Sequence, residues 1–503
     1  MRLRELLCDV PVRASRGDLD GEIASVTADS RLASAGALFV AVPGFKTDGA
    51  RFIDSAVGKG AAAVVSESIG MPSDSAASFV EVDDARAALA LIAANFYGRP
   101  AAKLSLVGVT GTSGKTTTTK MIESIFDAAG EPVGLIGTIE YRAGDERLVA
   151  DRTTPDAVVL QQWFAKMVDA GVRHGVMEVS SHALALKRTH GIRFAAAVFT
   201  NLSQDHFDFH KGFEDYFAAK RILFDQIDHA RKTAIVNIDD DYGRRLANEL
   251  GDCVVTFGRD SSADIHSLDG FEVSVRGLHG FVRTPAGEVS VASHLLGAPN
   301  LYNWLGAIGA AQAVGIDIDT IEAGIRNLGV VRGRFEYVDN EDGPAVIVDY
   351  AHKPDAMEKL LHAVRDLAAG RRVVLLFGCG GDRDKDKRAK MGAIAARLAD
   401  QIVLTSDNPR GERPEAILDD IEGGMSEAKN YERVTDRREA IDRIIGQASD
   451  DDVIVIAGKG HESYQVVGDQ VIHFDDREEA ERALKSRRGK TKHENGAPKS
   501  ASN

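Results

Sequence analysis

A glycine-rich turn between an apolar segment and a run of threonines constrains the fold most strongly. The apolar segment covers residues 104–109, and the turn reads Gly111-Thr112-Ser113-Gly114-Lys115-Thr116-Thr117. A buried strand followed by such a turn and a helix is typical of α/β proteins. Glycines let backbone N–H groups approach phosphate oxygens, the lysine neutralises charge, and a hydroxyl can reach Mg²⁺. The turn is therefore predicted to bind nucleotide phosphates, in a variant form with Val109 where the general pattern has glycine.

Apolar segments, glycine turns and helical segments continue to alternate beyond this turn. Further apolar segments begin near residues 175, 195 and 233, and their spacing predicts a mostly parallel sheet covered by helices. Residues 252–295 carry short alternating segments instead, which predict an antiparallel insertion. The predicted fold class is therefore α/β.

Four apolar strands in the last third of the chain are each followed by a polar, glycine-bearing or charged loop. The loops lie at 349–352, 378–383, 406–410 and 457–462. In an open parallel sheet, ligands bind outside the carboxyl ends of the strands. The four loops are therefore predicted to meet at one edge of a Rossmann-like sheet.

The length of 503 residues predicts about three domains, at a prior of roughly one domain per 150 residues. We expect a small α/β domain at 1–102, a central domain carrying the glycine turn at 103–330, and a C-terminal domain at 331–485. Residues 486–503 are rich in Lys, Arg, Gly and Ser, and this composition predicts a disordered basic tail.

Composition excludes several classes of protein. A formal net charge of -15 repels polyanions, so we expect no nucleic acid partner. The three cysteines, Cys8, Cys253 and Cys379, are far apart and predict neither a disulfide framework nor a metal site. Residues 1–20 lack the apolar segment of a signal peptide, and no apolar run approaches the ~20 residues that cross a bilayer. We expect a cytoplasmic monomer without membrane insertion.

Polar residues follow two of the central strands. Glu178-Val179-Ser180-Ser181-His182 follows one strand, and residues 201–210 follow the next. A glutamate and a histidine at neighbouring strand ends, beside bound phosphates, could complete a Mg²⁺ site. Polar residues at strand ends are otherwise caps and turn formers, so the metal hypothesis depends on the neighbouring glycine turn.

Together these motifs resemble those of the Mur ligase family of peptidoglycan synthesis. The shared segments, in the family's order, are Thr110-Gly111-Thr112-Ser113-Gly114-Lys115-Thr116, Glu178-Val179-Ser180-Ser181-His182, residues 201–210, Gly333-Arg334-Phe335-Glu336 and Asp349-Tyr350-Ala351-His352. The resemblance runs from about residue 25 to about residue 475. It implies that ATP phosphorylates a substrate carboxylate, that an amino acid amine attacks the acyl phosphate, and that ADP and phosphate leave.

The resemblance also implies roles for individual residues. Those implied to be catalytic are Lys115, Lys220 and His206. ATP is implied to bind to Gly111, Thr112, Ser113, Gly114, Lys115, Thr116, Thr117, Asn300, Arg334 and Asp349. Mg²⁺ is implied to bind to Thr116, Glu178, His206 and Lys220, the last as a carbamate that turns a cation into an anionic ligand. A solvated helix face would otherwise be the expected place for Lys220.

Two further groups are implied to bind the substrates. The segment 44–49 and Ser30, Thr153, Thr154, Ser181 and Arg188 resemble the part that holds a UDP-linked muramoyl peptide. Leu186 stands where many relatives carry glutamine, so one polar contact to that substrate is expected to be absent. Asp407-Asn408-Pro409-Arg410 resembles the signature of relatives that add meso-diaminopimelate, together with Arg383, Gly458 and Glu462.

Chemistry supports the choice of amino acid. Diaminopimelate differs from lysine by a second carboxylate, which an arginine such as Arg410 can hold by charge-assisted hydrogen bonds. An acid such as Glu462 can meet the ammonium group of the same stereocentre, so both charges at the far end are recognised. We therefore expect an ATP- and Mg²⁺-dependent ligase that joins meso-diaminopimelate to UDP-N-acetylmuramoyl-L-alanyl-D-glutamate.

Two alternatives remain open at this point. A related ligase could add lysine at the same step, or could be a folylpolyglutamate synthase, although Arg410 and the N-terminal segment argue against both. A P-loop ATPase that uses ATP to switch shape is the alternative from another class. Four polar loops on one sheet edge argue against a switch, which has no evident use for them.

Overall fold

The computed structural model describes residues 1–44, 47–68, 75–274, 277–338, 343–426 and 430–495, and the side chains up to residue 488. These residues form two compact units. The first consists of Met1–Ser267, Val282–Val289 and Tyr302–Gly324, and the second of Leu268–Phe281, Ser290–Leu301 and Ile325–Asn503. Residues 45 and 46 of the segment 44–49 lie outside the described residues.

The first unit begins with a five-stranded sheet, ordered β1-β5-β4-β3-β2. Its strands are β1 (Val12–Arg16), β2 (Ser25–Thr27), β3 (Ala37–Ala41), β4 (Ala63–Ser66) and β5 (Ser78–Val82). Its helices are α1 (Leu3–Leu6), α2 (Ile53–Gly58) and α3 (Ala85–Phe96). Only β1 runs antiparallel to its neighbour. Helix α3 begins where the carboxylate of Asp84 accepts from the N–H of Ala87 at 2.8 Å, a side-chain cap of the helix start.

An eight-stranded sheet follows, ordered β13-β12-β11-β6-β10-β7-β8-β9. Its strands are β6 (Ser105–Thr110), β7 (Val133–Ile136), β8 (Glu140–Ala143), β9 (Glu146–Val149), β10 (His174–Glu178), β11 (Ala196–Phe199), β12 (Ala234–Asn237) and β13 (Val254–Phe257). Its helices are α4 (Lys115–Ala128), α5 (Ala157–Asp169), α6 (Ser181–Ala185), α7 (Phe213–Arg221) and α8 (Asp241–Leu250). The predicted, mostly parallel sheet is confirmed. The antiparallel β7–β9 extension was not predicted.

The predicted antiparallel insertion is shorter than residues 252–295. Strand β13 pairs in parallel with β12, because its apolar residues extend the buried sheet. The antiparallel strands begin later, with β14 (His266–Ser267), β15 (Glu272–Ser274), β16 (Gly277–Thr284) and β17 (Gly287–Ser293). Two helices follow, α9 (Ala298–Ala313) and α10 (Ile318–Asn327).

The second unit contains a six-stranded sheet, ordered β18-β19-β23-β20-β21-β22. Its strands are β18 (Glu336–Val338), β19 (Ala345–Asp349), β20 (Val373–Phe377), β21 (Gln401–Leu404), β22 (Tyr431–Arg433) and β23 (Val453–Ala457). Its helices are α11 (Pro354–Ala368), α12 (Asp386–Leu398), α13 (Pro414–Glu422), α14 (Arg437–Gln447) and α15 (Asp476–Asn495). A hairpin, β24 (Tyr464–Val467) with β25 (Gln470–His473), stands beside it.

Four neighbouring strands of this sheet, β19, β23, β20 and β21, run parallel. The four polar loops therefore follow adjacent carboxyl ends, which confirms the predicted meeting of the loops at one edge. The prediction of a disordered tail from residue 486 is wrong as far as Asn495, because α15 continues to that residue; residues 496–503 lie outside the described residues. None of the helices within the described ranges combines the length and apolar composition that crossing a bilayer requires.

Candidate active site

The glycine turn follows β6 and leads directly into α4. Gly111 and Gly114 have φ angles of 149° and 88°, which side-chain-bearing residues rarely adopt. A β-carbon at Gly111 would collide with the hydroxyl of Thr200, and one at Gly114 with the amide of Asn303. Both positions therefore require glycine, and the turn packs closely against the end of β11.

Two side chains fasten the turn to its surroundings. The amide of Asn201 accepts from the N–H of Ser113 at 3.1 Å and donates to its carbonyl at 3.1 Å. The ammonium group of Lys115 donates to the carbonyls of Gly111 and Thr112, both at 3.0 Å. The structure thus places the predicted phosphate-binding lysine directly at the turn.

A buried carboxylate lies beside the start of α4. Glu178, at the end of β10, is 1% exposed. Its Oε2 accepts from the hydroxyls of Thr116 at 3.0 Å and Thr138 at 3.1 Å, and its Oε1 accepts from the N–H of Thr138 at 2.7 Å. The structure brings Thr116 and Glu178 together, as the sequence predicted. Thr138 was missed, since a lone threonine after β7 carries no signal in the sequence.

The oxygens of Thr116 and Glu178 fit the ligand preference of Mg²⁺, which is commonly bound by one or two carboxylates together with substrate phosphates. Among the described residues there is no group of three or more His, Cys, Asp or Glu that could hold a metal ion by itself. A magnesium site here would therefore draw its remaining ligands from a hydroxyl, a phosphate and water. This donor set suits a metal that arrives with a nucleotide.

His206 lies in a cluster of rings after β11. Its φ is +57°, and its N–H donates to the carboxylate of Asp205 at 2.8 Å. Its ring centroid is 4.7 Å from that of His182 and 6.2 Å from that of Tyr216. A positive φ at a non-glycine residue persists only where the surrounding structure holds it. The role of His206 toward a metal ion stays a prediction.

Lys220, on α7, is buried under the glycine turn with 1% exposure. Its side-chain nitrogen donates to the carbonyl of Gly111 at 2.7 Å and lies 4.4 Å from the centroid of the Tyr216 ring. Burial, with a smaller contribution from the charge of Lys115, holds the pKa of Lys220 well below its usual range. The solvated helix face expected for an ordinary lysine is therefore wrong for this residue. A neutral amine is the form that reacts with carbon dioxide to give a carbamate.

The predicted muramoyl-peptide residues of the central segment gather around β10 and α6. Thr153 Oγ1 is 3.1 Å from Thr138 Oγ1, and the hydroxyl of Thr154 donates to the carbonyl of Glu178 at 2.8 Å. The guanidinium of Arg188 donates to the carbonyl of Thr154 at 2.6 Å, and burial lowers its pKa. These residues share one neighbourhood with the predicted magnesium ligands.

Ser181 and Ser30 lie in different surroundings. The hydroxyl of Ser181 is 2.9 Å from Nε2 of His210, whose Nδ1 is 3.3 Å from the carboxylate of Asp215. Ser30 follows β2 in the first sheet, where its carbonyl accepts from Lys59 at 2.9 Å. The His210–Asp215 support of Ser181 was not predicted.

In the second unit, the predicted nucleotide residues lie on α9 and near β19. The side-chain amide of Asn300 donates to the carbonyl of Leu296 at 2.8 Å. The carboxylate of Asp349 accepts from the N–H groups of Phe335 at 2.7 Å and Ala351 at 2.8 Å. Burial raises the pKa of Asp349, while the nearby charge of Arg334 acts in the opposite direction.

Arg334 lies over an aromatic ring, with its guanidinium carbon 4.9 Å from the centroid of Tyr350. The ring of Tyr350 also contacts His461, with the two centroids 4.8 Å apart. Burial lowers the pKa of His461 to about 4, so its imidazole is neutral at neutral pH. Tyr350 after β19 and His461 after β23 thus contact each other, and the guanidinium of Arg334, which precedes β18, lies over the Tyr350 ring.

The predicted diaminopimelate residues meet at the loops after β20, β21 and β23. A guanidinium nitrogen of Arg410 donates to the carbonyl of Gly381 at 2.8 Å. A β-carbon on Gly380 would lie 2.9 Å from the same nitrogen and 3.8 Å from Cγ of Arg383. Both arginines therefore lie beside Gly380, in the loop after β20 and the loop after β21.

The acidic partner lies across the same edge. The side-chain amide of Asn408 donates to Glu462 Oε2 at 2.8 Å. Gly458 lies beside Asp407, with its absent β-carbon 3.2 Å from the carboxylate, and its N–H donates to the carbonyl of Asp349 at 3.0 Å. Pro409 is buried between Asn408 and Arg410. The structure therefore brings all seven predicted residues together.

A buried ion pair that the sequence did not reveal supports these loops. Arg437 and Asp476 have fully buried side chains and form two hydrogen bonds of 2.7 Å. Arg437 also donates to the carbonyls of Ser406 at 3.3 Å and Ala457 at 3.0 Å. These residues directly precede Asp407 and Gly458, so one guanidinium connects two of the loops.

The glycine turn, its lysine and the parallel sheets define an α/β protein of the P-loop class. Three family models match the chain: "Mur ligase family, catalytic domain" at residues 22–97, "Mur ligase middle domain" at 109–311 and "Mur ligase, glutamate ligase domain" at 333–460. The chain belongs to the Mur ligase family.

Curated relatives agree with this assignment. The chain is 46% identical over 491 residues to the UDP-N-acetylmuramoyl-L-alanyl-D-glutamate--2,6-diaminopimelate ligase of Gloeobacter violaceus, covering 97% of this chain and 99% of the relative. It is 46% identical over 471 residues to the protein of the same name from Bacillus cereus, covering 93% and 95%.

Solved structures show the same fold. A structure of a UDP-N-acetylmuramoyl-L-alanyl-D-glutamate--2,6-diaminopimelate ligase superposes with a TM-score of 0.70 at 29% identity, covering 97% of this chain and 99% of the other. The MurF ligase of Thermotoga maritima in complex with ADP superposes with a TM-score of 0.57 at 18% identity, covering 94% and 99%. The second similarity supports the fold alone.

Proposed function

We propose that this chain is an ATP-dependent ligase that adds meso-diaminopimelate to UDP-N-acetylmuramoyl-L-alanyl-D-glutamate in peptidoglycan precursor synthesis. The observation that carries the proposal is the loop edge of the second unit, where two arginines and two acids meet. An amino acid end group brings one carboxylate and one ammonium, and this edge offers a partner for each. The two curated relatives are named for the same reaction.

The reaction proceeds in two steps. A substrate carboxylate oxygen attacks the γ-phosphorus of ATP, the bond to the bridging oxygen breaks, and ADP leaves. The amine of diaminopimelate then attacks the acyl carbon, the bond to the phosphate oxygen breaks, and inorganic phosphate and one proton are released. Phosphoryl transfer depends on positioning and on neutralising charge, so no protein nucleophile is needed.

The residues around the glycine turn supply that neutralisation. Lys115 and the N–H groups at the start of α4 receive the nucleotide phosphates. Thr116, Glu178 and His206 are proposed to hold Mg²⁺, which would offset the negative charge of the phosphates when bound. Lys220 is proposed to act as a carbamate, since burial lowers the pKa of its amine and so favours the neutral form that reacts with carbon dioxide. Asn300, Arg334 and Asp349 are also proposed to bind the nucleotide.

The assignment of one segment of the chain to each substrate is also a proposal. Residues 1–102, with Ser30, would bind the UDP-muramoyl peptide together with Thr153, Thr154, Ser181 and Arg188. Residues 103–330 would bind ATP, and residues 331–485 would bind the amino acid. We further propose a cytoplasmic monomer that uses small-molecule substrates and neither binds nucleic acid nor inserts into membranes.

The test is an assay of ADP release with each substrate omitted in turn. We expect release to require ATP, the UDP-linked dipeptide and an amine, and to be faster with meso-diaminopimelate than with lysine. A preference for lysine would overturn the amine assignment. Equal ATP turnover without acceptor and amine would favour an ATP-driven switch instead.

A further inference from the structure

Lys459 has a fully buried side chain beneath the loops of the second unit. Its ammonium lies 3.4 Å from Glu462 Oε2 and 3.4 Å from Asn408 Oδ1, and it also donates to the carbonyl of Tyr464. Removing an ammonium from water is costly unless oxygens replace the lost hydration. The buried ammonium of Lys459 is therefore stabilised by these three oxygens.

Glu462 is held from two sides through a single oxygen. Its Oε2 receives Lys459 and, at 2.8 Å, the side-chain amide of Asn408. Asn408 is itself fixed, because its Oδ1 accepts from the N–H of Val466 at 2.9 Å. The other oxygen, Oε1, accepts no hydrogen bond from the described part of the chain. One oxygen therefore orients the carboxylate, and the other remains available to a ligand.

A second carboxylate lies near the same ammonium. Asp407 Oδ1 is 3.8 Å from the nitrogen of Lys459. Asp407 is 6% exposed, and its Oδ1 is buried without a hydrogen-bond partner among the described residues. Two acids converging in a buried place repel each other, and a cation between them reduces this repulsion. Lys459 therefore allows Asp407 and Glu462 to share one edge.

We propose that Lys459 is the positioning residue that aims Glu462 at the ammonium group of the distal stereocentre of diaminopimelate. This inference rests on the proposed function. Lys459 does not touch the substrate; it acts through Glu462, whose orientation it fixes before the amino acid arrives. A preorganised carboxylate loses less conformational freedom on binding, so recognition of the ammonium is stronger.

The two ends of the edge recognise different charges, which allows them to be tested separately. Lysine lacks the distal carboxylate, so discrimination between diaminopimelate and lysine depends on Arg410. 2-Aminopimelate keeps the distal carboxylate but lacks the distal ammonium, so discrimination against it depends on Glu462. If Lys459 positions Glu462, the loss of Lys459 lowers the preference for diaminopimelate over 2-aminopimelate. The preference for diaminopimelate over lysine is then unchanged.

The experiment compares kcat/KM for diaminopimelate, 2-aminopimelate and lysine in the wild type and in Lys459→Met. We expect the preference for diaminopimelate over 2-aminopimelate to fall about tenfold to a hundredfold, the range of one hydrogen bond to a charged group. The preference over lysine should change by less than about threefold, since hydrogen bonds to Arg410 are retained. Lys390→Met, which removes an exposed charge from α12, should leave both ratios unchanged.

A double-mutant cycle separates positioning through Glu462 from general loosening of the loops. In a Glu462→Gln background, Lys459→Met should lower the 2-aminopimelate ratio by less than about twofold, because coupled residues are not additive. An equal effect in both backgrounds would overturn the inference. If Lys459→Met does not fold, as judged by circular dichroism, Lys459→Gln removes the charge and places the side-chain nitrogen one bond closer to the backbone, so the contact with Glu462 Oε2 is weakened. The 2-aminopimelate ratio should fall in this variant too, and a wild-type ratio would overturn the inference.

Failure of this inference is distinguishable from failure of the proposed function. If the wild-type enzyme does not release ADP in response to diaminopimelate, the proposed function is wrong. If it does, and both preference ratios are unchanged in Lys459→Met, only the proposed role of Lys459 is wrong.

Discussion

The side-chain nitrogen of Lys220 lies 2.7 Å from the main-chain oxygen of Gly111, the first glycine of the phosphate-binding turn. A lysine on α7 is thus bonded directly to the turn that is proposed to bind phosphate. The contact explains how a helical lysine becomes part of the site: the amine is fully enclosed, and its pKa is lowered by burial. Several expectations depend on this geometry and on the ion pairs described above.

Lys220→Met should abolish ligation while stabilising the fold. In buffer free of carbon dioxide, the free energy of unfolding at neutral pH should rise by about 1–4 kcal/mol, because a buried ionisable group is replaced by an apolar one of similar size. The lowered pKa means that the unfolded chain binds more protons than the folded chain. The wild type should therefore gain stability as pH rises toward the ordinary lysine pKa. The difference in the free energy of unfolding between Lys220→Met and the wild type should become smaller over the same pH range.

Denaturant unfolding of both proteins at several pH values measures this difference. A variant less stable than the wild type throughout would contradict the description of Lys220 as a buried amine whose pKa is lowered by burial. Native mass spectrometry of the wild type with and without bicarbonate would show whether one carbon dioxide unit is gained, and Lys220→Met should gain none.

Lys115→Ala should lower kcat by at least about 10²–10³-fold. This is the usual loss when one preorganised donor that stabilises negative charge in the transition state is removed. The fold should remain intact, because the hydrogen bonds that Lys115 donates to the carbonyls of Gly111 and Thr112 stay within its own turn. Lys103→Ala, at an exposed lysine before β6, serves as the matched control. Phosphate release at saturating substrates is the measurement, and near-normal kcat in Lys115→Ala would be incompatible with its role.

Glu178→Gln should weaken the dependence on Mg²⁺. The amide keeps the shape of the carboxylate and can still accept from Thr138, but it removes the negative charge beside Thr116. The Mg²⁺ concentration that gives half-maximal activity should rise about tenfold to a hundredfold, comparable to other changes in the ligand environment of metals. A titration of activity against Mg²⁺ at fixed ATP tests this, and an unchanged midpoint would argue against metal binding at Glu178.

Arg410→Ala should reduce the preference for diaminopimelate over lysine by about 10–150-fold, which corresponds to about 1.5–3 kcal/mol for a hydrogen bond to a charged group. Arg410 donates to the carbonyl of Gly381 through one nitrogen, so the rest of the guanidinium can serve a substrate carboxylate. Steady-state kcat/KM with each amine is the measurement. Unaltered discrimination would show that the distal carboxylate is recognised elsewhere.

Arg437→Met should destabilise the protein by about 3–5 kcal/mol, because it leaves Asp476 buried and uncompensated. Combining it with Asp476→Leu should recover much of that loss, since both charges are then absent. Equilibrium unfolding of the single and double variants measures the coupling. Additive losses in the double variant would mean that the pair is not linked energetically.

Much of the fold was determined locally and could be predicted from the sequence. Apolar segments of four to six residues before glycine turns predicted the parallel strands β6, β10, β11 and β12, because local patterning decides which segments are buried. The β7–β9 extension escaped prediction, since it differs from a loop mainly by its pairing with the edge of a sheet already formed. The C-terminal domain was expected to end at residue 485, and the continuation of α15 through the basic segment to Asn495 was not predicted.

Glycine, lysine and threonine at fixed spacing determined the phosphate-binding turn by themselves, because backbone geometry and charge there are properties of consecutive residues. The tertiary structure alone decided that Lys220 lies under that turn, that Thr138 shares the carboxylate of Glu178, and that Lys459 lies between Asp407 and Glu462. These relationships join residues far apart in the chain, and the burial that changes their chemistry arises only when separate strands and helices pack together.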